Sequence, residues 1–356
     1  MDGGRAGRGP RGAAGRGRAR AGGGVGLGVS GGASGGASGG AFGGEPVRGT
    51  DVLVTHVHAR PRPAPAAGAW AQRPGVSLTA GTMQRRARSG LVVRVRRGSY
   101  VGADEWRGLD DRAQQVVRVR AVHAAAASPP VFSHWSAAAV LGLPVVGRRD
   151  DGVHVVRGPA GGGRSSGDVV RHTVEGGVDV TVVDGITVTS AARTVVDLAR
   201  TGGVVAGVVA GDVAVRHGLT SVEELRLEVR RAGRGRGVRA ARSVVDLVDP
   251  RAESPGESLS RVRMAELGLP APVLQHEVHD RHGLVGRVDF WWPEHGVVGE
   301  FDGRVKYGTG APDVLWEEKL REDRLRATGL GVARWTWSDA WTGDPMAARL
   351  RAAGIR

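Results

Sequence analysis

The chain of 356 residues has no cysteine, only two lysines among fifty basic residues, and no apolar run long enough to cross a membrane. Each absence excludes something. Without cysteine there is no disulfide framework and no thiolate metal site, which fits a cytoplasmic protein. Without a stretch of about 18 apolar residues nothing spans a bilayer, and a membrane is not an expected partner. The first fifty residues carry almost no large apolar side chain and include the repeat GGASGGASGG, so they cannot offset the entropy of ordering and read as a disordered tail. That tail carries positive charge but no compact apolar core, unlike a signal peptide. The GxGxxG match from Gly26 to Gly31 lies in low-complexity sequence with no strand before it and no helix after it and is accidental. A phosphate loop of the GxxxxGK type is impossible, because Lys306 follows Val305 and Lys319 follows Glu318.

What is present is arginine, unevenly spread. The net charge is +14, of which residues 1 to 50 hold +5, residues 51 to 250 hold +10, and residues 251 to 356 hold −1. A basic middle points to a polyanionic partner. The composition divides the chain into a low-complexity tail and linker at 1–75, a helix-and-hairpin region at 76–145, a mixed α+β region at 146–249 and a last domain at 250–356.

In the second region the pattern predicts a short helix from Ser77 to Arg88 ending at Gly90, then a hairpin from Leu91 to Val101 turning near Arg97 and Gly98. A helix followed by a basic hairpin is the layout of a winged helix. Arg85, Arg86, Arg88, Arg94, Arg96 and Arg97 fall there with no acidic residue between them, as phosphate contacts to DNA would require. Further helices are expected over SHWSAAAVLGLP, TSAARTVVDLAR and 203–248, the last with the basic Gly-broken run RRAGRGRG inside, and short valine-rich strands lie between the first two. Arg193 and Asp197, four apart, read as a surface ion pair.

The last domain is predicted as α, β, β, β, α, β. Its first helix, ESPGESLSRVRMAELGLP, should turn Leu259, Val262 and Leu267 to the core. Strands follow at 273–279, 285–292 and 297–302, then a helix from about Asp313 to Thr328 and the strand VARWTW, with the last two strands parallel. Six of the nine tryptophans lie between residues 291 and 341 and predict an aromatic core. His276, Glu277, His279 and His282 resemble a metal cluster on paper, but three residues is not a same-face interval on a strand, so they read as structural.

The chemistry concentrates in GRVDFWWPEHGVVGEFDG. A turn at Pro293 to Gly296 pairs Trp292 with Val297 and sets Asp289 opposite Glu300. Alternation then places Asp289, Arg287 and Trp291 on one side with Glu300 and Asp302, while Phe290, Trp292 and Phe301 face the core. Opposed like charges are destabilising in a sheet. A divalent cation on Asp289 and Glu300, with Asp302 as a third ligand, removes the repulsion, and hard oxygen donors suit Mg²⁺ or Mn²⁺. The bland alternative is a salt-bridged network through Arg287 and Arg304. Lys306 and Lys319 both fall in this neutral domain, and unlike arginine a lysine can lose its proton or polarise water.

These residues resemble a known family. The αβββαβ order with a helix glutamate, a strand aspartate and an acid pair on the next strand resembles the PD-(D/E)xK restriction-endonuclease fold. ESPGES, VDFWWPEHGVVGEFDG, EEKLREDRLRATG and VARWTW, in order over about residues 250 to 340, resemble an actinobacterial family of unknown function related to very-short-patch-repair endonucleases. GLVVRVRRGSYV resembles the winged-helix N-terminus of AbiEi-type antitoxins, which implies a cognate toxin as a further partner. The resemblance implies a metal-dependent DNA endonuclease with Glu257, Asp289, Glu300, Lys306 and Lys319 as catalytic residues. One departure stands out: the nuclease pattern has lysine where this chain has Asp302. The alternatives are an antitoxin-like repressor that binds DNA without cutting it, its nuclease core degenerate, and a nuclease acting on RNA.

Overall fold

A computed structural model describes residues 55–56, 80–147, 152–158, 167–174, 177–303 and 312–356, with the side chains of 55–56 and 312–318 excepted. The tail at 1–50, the linker, Arg304 and Lys306 lie outside the described residues. The element order is β1 (Thr55–His56), α1 (Ala80–Arg88), β2 (Val92–Arg96), β3 (Ser99–Gly102), α2 (Ala103–Gly108), α3 (Asp111–Ala125), β4 (Val131–Phe132), α4 (His134–Leu141), β5 (Val153–Arg157), β6 (Val169–Thr173), β7 (Val180–Val183) and β8 (Ile186–Thr189). Then follow α5 (Ala191–Gly202), α6 (Val204–Arg216), α7 (Val222–Arg231), α8 (Val238–Leu247), α9 (Pro255–Glu266), β9 (Val273–Asp280), β10 (Gly283–Trp292), β11 (Val297–Asp302), α10 (Pro312–Ala327), β12 (Gly331–Thr336), α11 (Trp337–Thr342) and α12 (Asp344–Ala353). The protein is mixed α/β, and no helix among the described residues is long and apolar enough to cross a membrane.

Helix α1 and the β2–β3 hairpin fall where the sequence pattern put them. Gly98 takes a φ of 82° at the hairpin turn, a left-handed conformation that glycine adopts without a Cβ clash. The central sheet has the order β6-β5-β4-β8-β7, and its core of Val119, Phe132, Val155 and Val188 packs beneath α3 and α4. Helices α4 to α8 surround a second core centred on Val195, Leu198 and Val208. Arg193 and Asp197 lie inside this bundle, not on its surface. Asp197 is 2% exposed and bonds Arg193 at 2.9 Å, and Arg193 reaches Glu228 at 3.3 Å. The four-residue spacing gave the pairing correctly, but the packing of α7 and α8 against α5 buries it.

The last sheet runs β12-β11-β10-β9, antiparallel except for the β11–β12 pair. Its register matches the count from the turn: Trp292 opposes Val297 and Phe290 opposes Gly299. Phe290, Trp292 and Trp335 bury against α9, where Gly256 lies so close to Phe301 that an added Cβ would sit 2.0 Å from its ring. Ser254 caps α9 and Pro255 opens it. Leu259 and Val262 are buried as expected, but Leu267 is exposed. The helix closes at Glu266. Gly268 then turns left-handed, the Leu269 amide bonds the Met264 carbonyl at 2.9 Å, and Leu269 packs into the core instead. The aromatic core is also smaller than the tryptophan count implied: Trp292 and Trp335 are buried, whereas Trp337 and Trp341 stack on each other at the surface of α11.

Candidate active site

The strand registers set a row of polar side chains across the last sheet. Leu274 pairs with Phe290 and His276 with Val288, so Gln275 on β9 lies beside Asp289 on β10. The β10–β11 ladder runs to Phe290–Gly299, next to Asp289 and Glu300, and Glu300 pairs in register with Arg334 on β12. Beyond Phe290 the Asp289 side chain takes over from the backbone ladder: its Oδ2 accepts the Phe301 amide at 2.8 Å.

Glu257 enters from the first turn of α9 and is buried. Its carboxylate accepts from the Glu253 amide at 2.9 Å, the Ser254 hydroxyl at 2.7 Å and the Gln275 side-chain amide at 2.8 Å. Burial still outweighs these donors and pushes the Glu257 carboxyl above the usual range. Gln275 holds its position with a backbone φ of 57°, one of three non-glycine residues among those described with positive φ. Such backbone costs about 1–2 kcal/mol and clusters at sites where geometry matters more than stability.

Glu300 does not face an unbalanced acidic patch. Its two oxygens are taken by Arg321 of α10 at 2.8 Å and Arg334 of β12 at 2.7 Å. The salt-bridged alternative is therefore realised, but through different arginines from those expected. Arg287 pairs with Glu253 at 2.7 Å, on the α9 side, and Arg304 is not among the described residues. Asp302 is half-buried at the end of β11, and Lys319 is exposed on α10. Neither arginine clamp was legible in the sequence, because α10 and β12 reach Glu300 only once the crossover is folded.

Asp289, Glu300 and Asp302 form a hard oxygen donor set that suits Mg²⁺ or Mn²⁺. They do not converge as they stand: among the described residues, the group of three or more metal-binding side chains whose ligand atoms lie within 4.8 Å is His134, His154 and His172. A dication at Glu300 would take over the charge that Arg321 and Arg334 now balance, so the donor chemistry fits once those guanidinium groups turn away. The histidines nearer in sequence do not gather. His276 stacks on Trp291, with ring centroids 5.3 Å apart.

The triad leaves no signal in the sequence, because each member stands alone in its own element. His134 begins α4, His154 lies on β5 and His172 on β6. Burial lowers the His134 pKa to about 2, helped by the neighbouring His172 and His154. Asp197, behind it, is raised to about 6 by burial in spite of Arg193.

Of the six arginines in the helix-and-hairpin region, Arg85, Arg86, Arg88, Arg94 and Arg97 are exposed. Arg96 turns away and lies 3.7 Å from Asp168.

No protein-family model matches the chain. Two relatives from Mycobacterium tuberculosis, the uncharacterized proteins MT2308 and Rv2248, are each 34% identical to it over 118 residues. The match covers 33% of this chain and 43% of each relative, so the chain spans less than half the length of the curated relatives it matches.

Proposed function

We propose that the protein is a metal-dependent phosphodiesterase acting on DNA, with a restriction-endonuclease-like last domain guided by a winged-helix region at 76–145. The observation that carries this reading is the row Glu257, Gln275, Asp289, Glu300. A buried carboxylate is fixed by a side chain on strained backbone, next to two further acids on adjacent strands. A structural cap for α9 needs only Ser254 and Glu257; it does not need Gln275 in a left-handed conformation.

Asp289, Glu300 and Asp302 would hold Mg²⁺ or Mn²⁺, which when bound neutralises phosphate charge and makes water a better nucleophile. Glu257, whose carboxyl is pushed above the usual range by burial, would complete the acidic shell from the first turn of α9. Arg321 and Arg334, once displaced from Glu300, would offer positive charge to a phosphate. Lys319, and Lys306 beyond the described residues, are the candidates to orient the attacking water. The five exposed arginines of α1 and the hairpin supply sequence-independent phosphate affinity.

The Arg321 and Arg334 clamps favour one second reading: a DNA-binding repressor of the antitoxin type, with a cognate toxin as partner, whose last domain is kept for packing. Plasmid DNA incubated with Mg²⁺ or Mn²⁺ separates the two. The nuclease cuts and Asp289→Asn abolishes cutting with binding intact, whereas the repressor protects a defined operator and ignores the metal. Matched DNA and RNA substrates assayed side by side identify the polymer.

A further inference from the structure

We propose that His134, His154 and His172 form a second metal site, for a divalent transition ion of zinc type, that ties helix α4 to strands β5 and β6. The three rings each bring one ligand nitrogen, and these all lie within 4.8 Å of one another. His154 Nδ1 and His172 Nε2 share a hydrogen bond at 2.8 Å, and an ion here would take the place of the shared proton. Tetrahedral zinc with Zn–N bonds of about 2.0–2.1 Å sets its ligand nitrogens roughly 3.4 Å apart, so this pair needs only a small separation to admit the ion. The His134 ring stacks on His172 with centroids 3.7 Å apart and must rotate about its own axis to point a nitrogen inward.

The backbone around the rings is fixed before any ion arrives. The Ser133 amide donates to the His154 carbonyl at 3.0 Å, and the His154 amide donates to Ser136 Oγ at 2.9 Å. Both ends of the His154 peptide are thus pinned to the start of α4. The parallel β5–β6 ladder pairs His154 with Val170 and Val156 with His172, which keeps His172 on the face of His154. His134 itself has a φ of 50°, a strained conformation for a non-glycine residue. A helix start without a functional demand is better served by a residue in ordinary extended geometry.

A carboxylate stands behind the first ligand. His134 Nδ1 lies 3.0 Å from Ser133 Oγ and 3.9 Å from Asp197 Oδ2, which leaves Nε2 as its metal-binding nitrogen. The Ser133 hydroxyl is the hydrogen-bond partner of this nitrogen; the Asp197 carboxylate lies beyond hydrogen-bond distance and supplies negative charge behind the ring. Asp197 is held by Arg193 and Arg200, and Arg193 is balanced in turn by Glu228. Three neutral imidazoles select zinc or its neighbours over magnesium, which prefers oxygen. His134 and His154 are buried and His172 only partly so, so an ion would enter from the His172 side.

The test uses the full chain without a histidine tag and zinc or cobalt alone as probe, so it does not depend on nuclease activity. The expected result is about one equivalent of zinc retained per chain on gel filtration, and cobalt absorption of a nitrogen-ligated tetrahedral centre. The thermal midpoint should rise by about 4 °C or more at saturating zinc and not with magnesium. His172→Ala and His154→Gln, with native circular dichroism, lose the zinc, whereas His279→Ala keeps it. His172→Cys should restore cobalt binding and add a thiolate charge-transfer band, which a merely structural histidine would not produce. Zinc that is not taken up, or that survives both His172→Ala and His154→Gln, overturns the proposal and leaves a buried imidazole stack only.

Discussion

Gln275 is the residue whose substitution is most informative. In a strand, alanine normally outperforms glycine, but at a φ of 57° the order reverses, because only glycine escapes the Cβ clash. Gln275→Gly should therefore be more stable than Gln275→Ala by about 1 kcal/mol in chemical denaturation. Both variants lose the amide that holds Glu257 and should lose most of the DNA-cleaving activity. Equal stability of the two would mean that the strain is absent. Gly256 offers a second test of close packing. Gly256→Ala drives a methyl group into Phe301 and should cost about 1–3 kcal/mol in thermal or denaturant unfolding, and Phe301→Ala in the same chain should recover part of that loss.

Helix α9 is joined to α6 by a buried polar contact whose pH dependence can be stated. Asp212 Oδ2 accepts from Ser258 at 2.7 Å and Arg261 at 3.0 Å, and Oδ1 accepts the Asp249 amide at 2.7 Å. Burial outweighs these partners and raises the carboxyl to about 7. The folded state then binds this proton more tightly than the unfolded state, so stability increases as pH falls through about 7 toward the ordinary carboxylate range. His134 acts in the opposite sense below its ordinary value of 6.5, because the folded state resists its protonation. Between pH 8 and 6.5 the wild type should therefore gain stability in denaturant titrations, and Asp212→Asn should show a flatter profile. The individual elements were the part of the fold most legible in sequence. Pro293 and Gly296 fixed the turn, and alternation then gave the β10–β11 register and the core side of Phe290 and Trp292. Contacts between elements were not legible. Arg321 and Arg334 reach Glu300 from a crossover helix and a parallel strand, and Asp197 is buried by helices whose position no local period encodes. The histidine triad was invisible for the same reason, since its three members meet only when α4, β5 and β6 are packed.

Across the whole molecule, charge and chemistry are separated. The exposed arginines of α1 and the β2–β3 hairpin lie in the basic middle, and the acidic row lies in the nearly neutral last domain. Replacing Arg85, Arg86 and Arg88 together with alanine should weaken binding to any duplex. It should also flatten the dependence of log affinity on log salt by roughly 2 to 3 units of slope, measured by fluorescence anisotropy. An unchanged slope would remove this surface from the interface. The central claim is that the acids of β10 and β11 exchange arginine for metal. It is tested most directly by anomalous diffraction from crystals soaked in Mn²⁺. The account predicts a peak between Asp289 and Glu300 with Arg321 and Arg334 swung off the carboxylate; both guanidinium groups still on Glu300 with no peak beside Asp289 would contradict it.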